Sequence, residues 1–204
     1  MPGGDGGKEP ADRAGDRLPG GNAVEVREFR PLRRRGVQRL AREQWGAGRS
    51  IWSADVDDRA LTVDQVRVTE AGAPLRVAEV FGLEPGEPVC VRSRRFVLDG
   101  TPVMLSTSYL PAALVAGTRI TEEDSGPGGT YARLAEIGAA PVRFREEVRS
   151  RMPTEEEVSR LAPAAGTPVV LVRRTAFTSG GQGVEVNEMV LDSACYVLEY
   201  EFDA

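Results

Sequence analysis

Between Arg92 and Arg95 the chain reads Arg-Ser-Arg-Arg, three guanidinium groups within four residues. In an extended strand successive side chains point to opposite faces, so Arg92 and Arg94 share one face and Ser93 and Arg95 the other. Neighbouring planar guanidinium forks offer bidentate donors to a carboxylate or phosphate. That is the chemistry of anion recognition. The stretch Ser-Gly-Pro-Gly-Gly-Thr at 125–130 points the same way. A glycine-rich loop that opens a helix can present backbone N–H groups to an anion without using a side chain. The bland alternatives are a solvated strand face with ion pairs, and a flexible connector.

The composition removes several competing chemistries. The 204 residues include no histidine, which excludes Ser-His-Asp and Cys-His catalysis, an imidazole base and His-ligated metal. Cys90 and Cys195 are too few for a four-ligand zinc site and read as two buried free thiols. No catalytic residue, metal or cofactor is expected. The net charge of −5 does not suit a general nucleic-acid binder, yet residues 27–49 hold eight arginines against two glutamates. That stretch reads as a basic linker helix, solvated on its arginine side, or as an arm that touches phosphates. No apolar run approaches the roughly 18–20 residues of a membrane span. The first ten residues, MPGGDGGKEP, lack the apolar core of a signal peptide. A cytoplasmic location without membrane contact is the expectation.

These groups need a scaffold, and the spacing outlines one. Residues 1–26 are rich in glycine and proline and read as a disordered tail. Residues 27–50 form the basic linker, in which Val37, Leu40, Ala41 and Trp45 would share a helical face. From 51 to 204 the chain reads as one folded domain. Strands are predicted at 51–55, 63–68, 88–98, 103–109, 142–151, 168–177, 184–191 and 196–202. Helices are predicted at 75–81, 112–116, 130–137 and from 154 to about 161. Asp99-Gly100 and the run 179–183 are hairpin turns. Thr154 and Glu157 fit a capping box. Residues 77–106 also lie loosely over 158–187, so that Gly86 matches Gly166, Pro88 matches Pro168 and Arg94 matches Arg174. Two such helix-plus-hairpin units most simply pair into one antiparallel sheet with helices on one side, an α+β fold.

The run EPGEPVCVRSRRFVLDGTPVMLSTSYLP (84–111) resembles the effector-binding UTRA domain of GntR-type transcription regulators of the HutC subfamily. The similarity continues through GGTYARLAEIG (128–138), RMPTEEEVSRL (151–161) and GTPVVLVRRTAFTSGGQGVEV (166–186). It implies a chorismate-lyase-like antiparallel sheet flanked by helices, with a small molecule held between sheet and loops. It also implies a homodimer whose DNA contacts are made indirectly, through a winged helix-turn-helix that the first fifty residues do not resemble.

The same resemblance implies which residues meet the effector. Arg94 and Arg92 reach it from the sheet, Gly129, Thr130 and Tyr131 from the glycine loop, and Glu185 accepts from its hydroxyl or amine groups. Ser106 stands where many relatives carry a glutamate, and Leu191 where sugar-binding relatives carry a tyrosine. Both changes favour a more apolar or differently shaped effector. Trp45 and Trp52 are expected to pack at the junction of linker and domain. The expected function is effector sensing without catalysis. The alternatives are a chorismate-lyase-like enzyme, or a stand-alone dimerisation module that acts on full-length regulators.

Overall fold

The computed structural model describes Gly3, residues 30–36, 40–48, 51–52, 56 and 59–201. Six strands form one antiparallel sheet: β2 (Leu61–Gly72), β3 (Pro88–Leu98), β4 (Thr101–Pro111), β5 (Arg143–Arg151), β6 (Val169–Phe177) and β7 (Gly183–Asp192). They lie in the order β2-β3-β4-β7-β6-β5. With α2 (Leu75–Phe81) and α5 (Glu155–Leu161), the chain is two successive strand-helix-hairpin units. They meet where β4 pairs with β7. The loose repeat is therefore a real duplication of architecture, and each unit has one more strand than the repeat suggests. Each helix packs against the final strand of the other unit, α2 on β7 and α5 on β4.

Local chemistry explains the boundaries. Asp99 and Gly100 both adopt positive φ, 49° and 82°. These are the angles of the tight turn whose twist matches that of the flanking strands. Gly82 ends α2 in the left-handed region, as the sequence predicts. The capping box at Thr154 and Glu157 forms in full.

The helices lie on both faces of the sheet rather than on one. On one face Val77 and Ala78 of α2 meet Val89 and Val186, and Leu161 of α5 meets Leu105 and Val169. On the other, α3 (Ala112–Val115) and α4 (Gly129–Glu136) cover Cys90, Leu110 and Ala176. The duplicated helices fill the first face, and the connection between the two units has only the second left to cover. Both cysteines are free and buried, Cys90 in that cluster and Cys195 in a second one around Phe96. Burial raises each thiol, and Asp192 helps push Cys195 to about 12.

The basic stretch departs most from expectation. Leu32–Arg35 is a strand, β1, and pairs in parallel with β8 (Tyr196–Glu199) in a separate two-stranded sheet. Its burial alternates with period two: Leu32 and Arg34 point inward, Arg33 and Arg35 outward. Among the described residues of this stretch, α-helix covers only α1 (Arg42–Trp45). Leu40 and Trp45 do turn inward as read, but residues 37–39 and 53–55 and the tail before residue 30, apart from Gly3, lie outside the described residues. Ile51 and Trp52 form a turn in place of a strand. The last strand stops at Glu199 because β1 offers it partners only that far.

Candidate functional site

A cavity of about 430 Å³ opens between the sheet and the glycine loop. β3 supplies its floor with Arg92, Arg94 and Phe96 in period-two succession, and β7 adds Glu185 and Asn187. Residues 123–131 form the wall above, and Trp52, Leu61, Val63 and Val66 close one side. Six of the seven residues expected to meet an effector are thus brought together: Arg92, Arg94, Gly129, Thr130, Tyr131 and Glu185. Ser106 stands one layer back. It is 1% exposed and donates to Asn187 Oδ1 at 3.0 Å, so it orients a lining residue without lining the cavity.

The two arginines of one face have separate jobs. The Arg92 guanidinium donates to the carbonyls of Ile120, Glu122 and Glu123. These bonds fasten the segment that leads into the glycine loop, leaving only Nε unpartnered. Arg94 has almost no such duty. Its Nη2 makes one long contact to Ser108 Oγ at 3.4 Å, and its Nε is buried without a partner. The guanidinium lies 5.5 Å from the Trp52 ring centroid and 5.7 Å from that of Phe96. Burial pulls its pKa down to about 10, with Glu185 opposing and Arg92 adding repulsion. It stays charged at neutral pH. A desolvated cation with free donors is costly unless an anion meets it. Arg95, on the opposite face as read, is held by Asp64 through paired bonds of 2.8 and 2.7 Å.

Opposite Arg94, Glu185 is 2% exposed and its Oε2 lacks a partner. β7 is an inner strand, so Glu185 is not a solvated edge residue. The Tyr131 hydroxyl is likewise buried, beside Glu185 and Arg174. Burial first, and Glu185 second, push its pKa upward, so it faces the cavity as a neutral donor. Tyr131 is fixed by its ring, edge-on to Trp45 at 6.2 Å and tilted against Phe144 at 5.4 Å. Gly128 begins α4 with φ of +78°, and a Cβ there would lie 2.6 Å from the Trp45 carbonyl oxygen. Only glycine lets the loop approach the preceding segment that closely. Gly128 N donates to Gly48 O at 3.0 Å.

A second layer lies beneath. Arg174 is fully buried and stacks 5.7 Å from the Trp52 ring centroid. Its Nε donates to Glu146 Oε1 at 2.9 Å, and Arg34 Nη2 donates to the same oxygen at 2.5 Å. Tyr200 donates to Glu146 Oε2 at 3.0 Å. Burial works against the Glu146 carboxylate, but the two arginines outweigh it and hold its pKa below the usual range. Burial also opposes the charge on Arg174, yet Tyr131 and Glu146 carry its pKa upward. Burial, joined by Arg174, lowers that of Arg34.

Asn187 could have been found from Glu185 by period two, and Arg174 from its match to Arg94 in the repeat. Nothing in the spacing marks Trp52, which lines the cavity instead of only packing at a junction. Among the described residues, no three acidic or thiol groups converge as a metal would require. No helix among them is long and apolar enough to cross a membrane.

Comparison with known proteins gives a consistent result. The family model for the UTRA domain matches residues 58–196. An uncharacterized HTH-type transcriptional regulator of Streptomyces coelicolor is 32% identical over 193 residues, covering 89% of this chain and 71% of that protein. The HTH-type transcriptional repressor PhnF of Mycolicibacterium smegmatis is 29% identical over 61% of this chain, which spans only 46% of the repressor. A crystal structure described as that of a GntR-family transcriptional regulator superposes with a TM-score of 0.67 at 28% identity, covering 76% of this chain and 64% of that one.

Proposed function

This chain belongs to the UTRA domain family, and from that premise we propose that it is the sensing part of a GntR-type transcription regulator that binds a small anionic effector. The carrying observation is Arg94, half-buried with its Nε lacking any partner, in the lining of a cavity onto which Glu185 and Tyr131 also bring buried polar atoms. Arg94 and the N–H groups of Thr130 and Tyr131 take the anion. Arg92 holds the loop in place, Tyr131 donates its hydroxyl, and Glu185 accepts from a hydroxyl or amine of the effector. Ser106 acts through Asn187. The function is binding without catalysis, in keeping with relatives named as regulators.

The effector signal reaches DNA through the segment before the domain. In this reading residues 51–204 sense, residues 27–50 link, and a dimer in the cytoplasm carries the DNA-reading part. Two contacts support the coupling. Gly48 accepts from the glycine loop, and Arg34 shares the Glu146 carboxylate with Arg174 beneath the cavity. An effector that favours one arrangement of the loop thereby biases the linker, which is a two-state coupling. Calorimetric titration with small carboxylates and phosphates tests the binding half. Saturable one-to-one binding that R94M weakens is expected; heat-silent mixing with every anion at millimolar concentration would sink the reading.

A further inference from the structure

The cavity is not uniformly polar, and its polarity runs along one strand. On the cavity face of β3 the succession is Arg92, Arg94, Phe96. At roughly 3.3 Å per residue, the ring of Phe96 begins about 7 Å along the strand from the Arg94 anchor. The register then carries the apolar character sideways, because Val63 of β2 pairs with Phe96 and Leu61 with Leu98. Trp52 packs on Phe96 with ring centroids 4.7 Å apart and completes this wall. Val63 keeps 46% of its surface open although it lines the cavity. An apolar wall that borders a charged anchor and remains open to solvent is unfavourable unless something covers it.

We infer that the effector is an amphipathic organic anion: a carboxylate or similar group held at Arg94, carrying an alkyl or aromatic body that lies along Phe96, Trp52 and Val63. The inference rests on the anion-site reading above and adds the class of ligand. A polyhydroxylated body, such as that of a sugar phosphate, would press its hydroxyl groups against the hydrocarbon of Phe96 and Val63, which offer no hydrogen bond, and lose its water there. A hydrocarbon body instead removes both its own surface and the wall's from water. The departures at Ser106 and Leu191 agree. Ser106 is spent on Asn187, and Leu191 is fully buried in the apolar cluster that contains Phe96, so neither offers a polar group to a sugar.

The test is a calorimetric series of straight-chain carboxylates from acetate to octanoate, with inorganic phosphate and glucose 6-phosphate beside them. Affinity should rise about fourfold per added methylene, the equivalent of ~0.8 kcal/mol each, until the wall is covered. R94M should weaken every member of the series, and V63S should flatten the slope while octanoate still binds. Binding that depends on Arg94 but shows no gain with chain length, or glucose 6-phosphate binding more tightly than octanoate, would overturn the amphipathic ligand and leave the anion site standing. A chain-length gain that R94M does not touch would overturn the anion site itself. Absence of binding by every compound would overturn both.

Discussion

Arg94 and Arg174 occupy the same place in the two halves of the sheet, and the halves use them differently. Each sits on the first hairpin strand of its unit and points to the cavity side. Arg174 faces Glu146 across the β5–β6 ladder. Arg94 faces a bulge, because the β2–β3 register slips between Asp64 and Arg67 and leaves Gln65 and Val66 opposite it. The bulge replaces a carboxylate with Val66, a cavity-lining apolar side chain. One half therefore neutralises its arginine internally and becomes a structural post. The other leaves its arginine for an outside anion. A duplicated fold becomes a site by failing to repeat at one position.

The largest break would come from the structural half. E146A leaves Arg34 and Arg174 buried against each other without their shared carboxylate, and removing one partner of a buried pair costs about 3–5 kcal/mol. Urea denaturation of the two proteins measures it; a loss under about 1 kcal/mol would mean that the post is not one. The pH dependence carries the same sign. The Glu146 pKa lies below its ordinary 4.5 in the folded chain, so its contribution is complete above that value and fades as pH falls through the depressed folded one. The stability gap between the parent chain and E146Q should hold from pH 7 to 5 and close as pH falls through the depressed folded value.

Arg94 should behave in the opposite way. R94M removes a desolvated charge that has one weak internal bond, so stability should stay within about 1 kcal/mol or rise. Anion affinity should fall by roughly 10- to 150-fold, the value of about 1.5–3 kcal/mol for hydrogen bonds to a charged group. Denaturation and titration of the same variant separate the two. A loss of stability as large as that of E146A would erase the contrast between the halves.

Much of this was legible in the sequence. Turn residues and period-two runs located every strand of the main sheet and both duplicated helices. The alternation at Arg92–Arg95 put Arg94 and Arg95 on opposite faces, where the first lines the cavity and the second pairs with Asp64. Three features were not legible, each for a physical reason. Arg34 looks like one more solvated arginine because only tertiary pairing with Glu146, far along the chain, makes its burial tolerable. Trp52 lies in a turn, where no periodicity reports direction. The bulge at β2 depends on Gln65 taking positive φ, 49°, which an ordinary residue type does not announce.

The bulge itself can be filled. V66E places a carboxyl group on β2 opposite Arg94, in imitation of Glu146 opposite Arg174. It should lower anion affinity about tenfold, near 1.4 kcal/mol, because the anchor is then satisfied from within. In the R94M background the same glutamate should destabilise the fold by roughly 0.5–3 kcal/mol more than it does alone. A double-mutant cycle reads this coupling, and purely additive effects would mean that Val66 does not stand where Glu146 does.

The smallest difference between the halves lies in how their helices begin. α5 opens on a capping box, in which Thr154 Oγ1 accepts from Glu157 N at 3.3 Å and Glu157 Oε2 accepts from Thr154 N at 2.8 Å. Arg151 braces the same glutamate through two bonds of 2.6 Å. α2 opens on Pro74, without a side-chain cap. T154A should cost about 1 kcal/mol. The reciprocal change, P74S, supplies a hydroxyl at the cap but frees the unfolded backbone that proline restricts, a loss of about 0.4–1 kcal/mol. The two terms nearly cancel, so P74S should shift the urea midpoint little. If T154A also leaves the midpoint in place, the two helix starts are equivalent in energy, and the functional asymmetry of the halves resides in the sheet.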